Sequence, residues 1–352
     1  MWKLDTPTTE LIKWHETTLL EGLYKRIKNK NDESGVTLLD EVAQHILIPL
    51  NPDGTEDKSI LRQLLILPPI ELHELCENIM SQLIIDYDEN EFESFLKAKA
   101  KKSRDKSETA IYNKYNPILS KLCKVFDYEG QISSKKFRSY KLTLAQGFNT
   151  CTYCNRQYVI TVGGTNDASR IARPELDHWY SKELFPLMSL NIYNLIPSCS
   201  ICNSTAKGNI IFRLSTHIHP YLFSKDEPDF KFRYKLTPDF KWTVVLDKLD
   251  DVKEQNMVTA FKLDKLYHYH GELEVKDILL FKYQNSNSYL EFLLKDLLSK
   301  YQYSKQDIYR MVFCSELDKS NNLNRPFSKL KRDILIQLGV IKEDGTEIRF
   351  LE

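Results

Sequence analysis

Residues 151 to 209 concentrate the side chains of this chain that can do chemistry. Two Cys-x-x-Cys pairs, Cys151/Cys154 and Cys199/Cys202, bracket an Asp-His step at Asp177-His178. Asn194 lies between that step and the second pair, Asn203 follows the last cysteine, and Lys207 stands a helical turn further on. A Cys-x-x-Cys turn aims two thiolates at one centre, so two such turns supply the tetrahedral sulfur shell of a structural Zn²⁺. A redox dithiol or a disulfide pair is the competing reading. A redox pair normally stands alone beside a βαβ pattern, and disulfides need an oxidising compartment. The long insert between the pairs then reads as a small subdomain looped out and closed at its base by the metal.

The insert has its own pattern. Arg156 to Val162 is β-branched and aromatic, which predicts a strand, and Gly163 to Asn166 supplies a turn. Arg170 to His178 is expected to return as the second strand, and Trp179 to Tyr193 to form a folded loop. A short helix opening at Cys202 would carry Asn203 in its first turn and Lys207 in the next. Asp177 at a strand end and Asn203 at a helix start converge as hard oxygen donors suited to one Mg²⁺. Phosphodiester hydrolysis needs a base for the attacking water and a cation for the developing charge, and a neutral histidine is a suitable base. His178 could instead be a buried structural histidine, Asn194 a turn residue or cap, and Lys207 a solvated lysine.

In this order the residues resemble the HNH endonuclease module, the ββα-metal fold, in a variant closed by two cysteine pairs. The resemblance covers residues 151 to 209. It implies His178 as general base, Asp177 and Asn203 as ligands of a catalytic Mg²⁺ or Mn²⁺, and Asn194 as the residue orienting the histidine. Lys207 would meet a neighbouring phosphate. Asn203 stands where the family signature ends in His or Asn. More loosely, Asn194-Leu195-Ile196-Pro197 before Cys199, His219-Pro220-Tyr221 and Leu266 to His270 resemble bacterial HNH proteins of phage-defence operons, the nuclease partner of Septu-type systems among them. That likeness implies DNA as substrate and an ATPase-like partner subunit. A non-catalytic, zinc-stabilised nucleic-acid-binding or adaptor protein and a toxin-like ribonuclease acting on RNA are the alternatives.

These side chains need elements to position them. The chain has 352 residues, 42% hydrophobic and 28% charged, a composition that allows two or three soluble domains. Residues 1–145 read as a helical domain, 146–215 as the zinc-closed module, and 216–352 as an α+β domain of strands followed by helices. The fold class is thus α+β, with mainly helical flanks around a small module. Helices are expected from a cap at Thr8 or Thr9, over Leu38 to Leu47, after Pro68-Pro69 through Ile70, Leu75 and Leu83, over roughly Glu91 to Lys102 and over Ala110 to Phe126. Beyond the module, Phe230 to Lys235, Trp242 to Leu246 and Met257 to Leu263 read as strands. A long helix from Leu266 to Lys300 follows, then helices over Gln306 to Leu317 and Phe327 to Leu338 and a hairpin over Lys342 to Phe350.

Forty-nine basic and 49 acidic residues give a formal net charge of zero, so affinity for nucleic acid must come from local patches. One basic cluster is Lys97, Lys99, Lys101, Lys102, Arg104 and Lys106, readable equally as a solvated helix face. A second, Lys135, Lys136, Arg138 and Lys141 with Phe137 and Tyr140 between them, adjoins the module and is the favoured DNA contact. His217, His219, His268 and His270 are expected to be packing or surface residues rather than a second metal site. Cys76, Cys123 and Cys314 read as buried free thiols. The first residues lack a signal pattern and no run reaches the length of a membrane span, so a cytoplasmic protein is expected.

Overall fold

Side-chain caps start half of the described α-helices. Thr8 accepts a hydrogen bond from the Leu11 amide at 3.2 Å and opens α1, Thr9–Asn29, whose inner face buries Leu11, His15, Leu19, Leu20, Leu23 and Ile27. Asp40 caps α2, Glu41–Leu47, and α3, Ser59–Ile66, packs across α1. Pro69 opens α4, Pro69–Leu83, at the position where its missing N–H costs nothing. Asp88 caps α5, Glu89–Lys99, and a capping box of Asp105 and Glu108 opens α6, Lys106–Val125, which packs on α5. The Arg26 guanidinium of α1 donates to the Val125 carbonyl at 2.9 Å and to Asp127 at 3.0 Å, which ties down the end of α6. A wide π-type turn, Glu129–Ser133, and α7, Lys136–Gln146, lead to the first cysteine pair.

The computed structural model describes residues 1–163, 171–247, 249–285, 288, 289, 292 and 303–342, without the side chains of Lys136 and Lys305. The expected turn over Gly163 to Asn166 beyond its first residue, the far part of the helix to Lys300 and the hairpin beyond Lys342 lie outside them. The chain is helix-rich with two-stranded sheets, as an α+β class requires. In the central region β1, Glu175–His178, pairs antiparallel with β2, Leu195–Ser198, in the register Asp177 to Ile196 and His178 to Leu195. This differs from the expected hairpin. Arg156 to Val162 forms isolated bridges only, Thr150 to Tyr158 and Val162 to Ala172, because the segment folds back on the cysteine turn, with Val159 N–H bonded to Asn149 O. Its β-branched residues therefore read as a strand but lack a continuous partner. A short helix of π type, Ile201–Lys207, carries Asn203 and Lys207, as the spacing predicts.

After the module, β3, Phe232–Leu236, and β4, Trp242–Leu246, pair as a hairpin. The expected third strand is helical instead. Asp251 caps α8, Val252–Ala260, through the Glu254 amide, and that local signal outweighs the strand-like Met257 to Leu263 pattern. The long helix breaks into α9, Leu263–His268, and α10, Glu274–Gln284, at Gly271. A Cβ there would lie 2.2 Å from the Trp242 carbonyl, so only glycine lets β4 approach so closely. Helices α11, Lys305–Phe313, and α12, Ser328–Gln337, close the described chain. Cys76 is buried, Cys123 partly so, and Cys314 is exposed at a left-handed turn, contrary to its expected burial. Among the described residues no helix is long and apolar enough to cross a membrane.

The hub of the packing is the first cysteine turn. Four consecutive carbonyls there accept hydrogen bonds from distant segments. Thr152 O takes the Trp2 amide at 2.9 Å, and Tyr153 O takes the Trp2 indole N–H at 3.0 Å. Cys154 O takes the Tyr267 hydroxyl at 2.5 Å, and Asn155 O the Phe327 amide at 2.7 Å. Asn155 itself is fully buried in left-handed backbone, and its amide group bridges Thr150, Asn322, Arg325 and Ser328.

Candidate active site and metal centre

Cys151, Cys154, Cys199 and Cys202 are all buried, with their sulfurs within 4.8 Å of one another. The N–H groups of Cys199 and Arg156 point at Cys151 Sγ and Cys154 Sγ at 3.3 and 3.5 Å. Thiolates crowded this closely repel one another unless a cation lies between them, so the donor set is that of a structural metal such as Zn²⁺. The Cys154–Cys199 sulfur separation of 3.9 Å is far beyond a disulfide bond.

Beside the cluster opens a cleft of about 720 Å³. Its floor is β1 and the Ile201–Lys207 helix; its other wall comes from the end of α5 and from Tyr128 to Ser133. Glu175, His178 and Asn203 line it together. His178 Nε2 lies 3.0 Å from the Ser189 carbonyl. A carbonyl only accepts, so Nε2 carries the proton and Nδ1 is the bare, acceptor nitrogen, with no bonding partner among the described residues. Burial lowers the His178 pKa from its ordinary value to about 4, against the opposing charge of Asp177, which keeps the ring neutral. The Tyr128 ring packs on its edge with centroids 4.3 Å apart. The bond to Ser189 O thus fixes the tautomer of a neutral ring.

Asn194 does not touch the imidazole. Buried, it donates to the carbonyls of Tyr180 and Met188 at 3.0 Å each and accepts from the Tyr180 amide at 2.7 Å. It therefore clamps the loop that presents the neighbouring Ser189 carbonyl, and the Ser189 hydroxyl is anchored on Phe126 O at 2.7 Å. The end of α6 and the loop thus orient His178 jointly.

Asp177 and Lys207 are placed differently from a metal ligand and a phosphate contact. Lys207 Nζ turns inward and lies 2.9 and 2.8 Å from the two Asp177 oxygens and 2.5 Å from His178 O. Both side chains are about 95% buried, with side-chain exposures of 5% and 4%. Burial lowers the Lys207 pKa, while Asp177 opposes that shift. Tyr153 OH donates to Asp177 Oδ2 at 2.6 Å as well. The Asp177 carboxylate thus already has a cation. Asn203 stays in the cleft, where its amide donates to Glu175 Oε2 at 2.8 Å. An amide and a carboxylate in that position suit a hard divalent cation.

Of the second basic cluster, Arg138 donates to the Gln131 carbonyl and Lys141 covers the Trp14 ring with Nζ 4.6 Å from its centroid, so both are tied to the helical region. Lys135 is exposed at the start of α7, and the side chain of Lys136 lies outside the described residues. Lys99, from the first cluster, lines the cleft with Lys182 and Arg173. The four histidines beyond the module are scattered. His219 packs on Trp179, His217 on Phe212, His268 on Thr243 and His270 on Phe327. Among the described residues only the four cysteines group as metal ligands. Glu175, Tyr128, Tyr153 and Ser189 enter the site without having been singled out in the sequence. Only Glu175 left a signal, two residues before Asp177 on one strand.

Comparison of the chain with known protein families, with curated proteins and with solved structures found no match.

Proposed function

We propose that this protein is a metal-dependent endonuclease of HNH type that hydrolyses phosphodiester bonds, with DNA as substrate and His178 as general base. The observation that carries the reading is the histidine: its Nε2 proton is spent on Ser189 O, its ring is held neutral, and its free Nδ1 belongs to a residue lining a cleft with Glu175 and Asn203. In that cleft a bound Mg²⁺ or Mn²⁺ would supply stabilisation of the charge developing on phosphate and leaving oxygen. His178 takes the proton of the attacking water at Nδ1. Asn194 and Phe126 keep the Ser189 carbonyl, and so the imidazole, in place. Cys151, Cys154, Cys199 and Cys202 would hold a structural Zn²⁺ that joins the first cysteine turn to the second at the base of the cleft. Formal neutrality of the chain supports targeting by a partner, for which an ATPase-like subunit is our candidate.

One observation favours a second reading, a zinc-stabilised binding module without catalysis: the Asp177 carboxylate is fully engaged by Lys207 and Tyr153. The two are separated by incubating wild type and His178→Ala with supercoiled plasmid in Mg²⁺, Mn²⁺ or EDTA. Metal-dependent nicking that falls by about 10²-fold or more in the variant, at unchanged zinc content, is the expected result. Binding without cleavage by either protein would establish the binding module. Cleavage of RNA alone in a parallel assay would make it a ribonuclease.

A further inference from the structure

Strand β1 carries two carboxylates on the cleft, and their surroundings are opposite. Asp177 is buried and holds an ammonium in a cradle built for it. Besides both carboxylate oxygens and His178 O, the Lys207 Nζ faces the Phe212 ring, 4.6 Å from its centroid. A divalent cation on Asp177 would have to evict Lys207 and leave a second cation buried without a counter-ion. Glu175 has no ion-pair partner among the described residues. Among those residues its Oε2 accepts only from neutral groups, Asn203 Nδ2 at 2.8 Å and Ser204 Oγ at 3.2 Å, and it is partly exposed to the cleft that His178 lines. We propose that Glu175, together with Asn203, is the carboxylate that holds the divalent cation, and that Lys207 is the permanent counter-ion of Asp177. The inference rests on the nuclease reading, of which it specifies the metal ligand. In this arrangement Asp177 is a positioning residue: through Lys207 it fixes the His178 carbonyl and hence the end of the strand carrying the base.

The test is Mn²⁺ binding to the zinc-loaded full chain, followed by the loss of the free-ion electron paramagnetic resonance signal. Wild type is expected to bind Mn²⁺, Glu175→Gln to weaken it by about tenfold or more, and Asp177→Asn to retain it within about threefold. Zinc content and thermal melting check that each variant is folded. Should Asp177→Asn fail to fold, Glu175→Gln decides alone, because its side chain is partly exposed. Mn²⁺ affinity unchanged in Glu175→Gln overturns the assignment while leaving the nuclease reading intact. No Mn²⁺ binding by wild type overturns both.

Discussion

A lysine buried against an aspartate is costly to place and costlier to break. Taking one member away leaves the other charged in a poorly polarisable pocket, typically a loss of 3–5 kcal/mol, about as much as the whole reserve of a marginal domain. Lys207→Met is therefore expected to destabilise the protein by roughly 3–5 kcal/mol, measured by urea unfolding followed through tryptophan fluorescence. A lysine that merely met solvent or a phosphate would cost well under about 1 kcal/mol on the same test. The residue types of the site were readable from spacing alone, because Cys-x-x-Cys turns and an Asp-His step are local in sequence. Which oxygen faces which cation was not. The choice between Asp177 and Glu175 depends on where Lys207, thirty residues away, delivers its ammonium, and no local pattern encodes that.

At the scale of elements, one amide ties the loop between β1 and β2 to itself, while Ser189 and Asn191 tie it to the helices. Asn194 makes three hydrogen bonds inside it, and removing them strands buried backbone groups at about 1–3 kcal/mol each. Asn194→Ala is expected to lower the melting temperature and to reduce the cleavage rate with zinc retained, checked by calorimetry and single-turnover cutting. Retained cleavage at a lowered melting temperature would separate the loop from the base. Helices with a plain local start signal, α1 at Thr8 and α4 at Pro68-Pro69, were legible in the sequence nearly to their ends, whereas α6 begins four residues before the expected Ala110, at the Asp105 capping box. The failures share a cause. Arg156 to Val162 and Met257 to Leu263 have strand composition, but a strand needs a neighbour, and only the folded chain decides whether one arrives. β2 was missed as a strand for the converse reason: four residues, one of them Pro197, give no alternation to detect, yet β1 supplies the partner.

Across the whole molecule, buried histidines link stability to pH. Burial lowers the pKa of His15 to about 4 and of His219 to about 3. Both are neutral in the native protein and would protonate near 6.5 when unfolded. Between about pH 6.5 and 4 the unfolded state therefore binds more protons, so stability is complete above 6.5 and falls as the solution is acidified. Going from pH 7 to pH 5 is expected to cost roughly 2 kcal/mol per histidine, read from urea midpoints at the two pH values. A midpoint that does not move would mean that these rings are hydrated in the native state.

The row of carbonyls from Thr152 to Asn155 also sets a timetable. Each waits for a donor from residue 2, 267 or 327, so the turn that presents the first two sulfurs is finished only after chain segments far apart in sequence have met. Such long-range closure slows folding. A metal on the four cysteines would then close on the second pair as a latch, on an assembly whose remote parts have met.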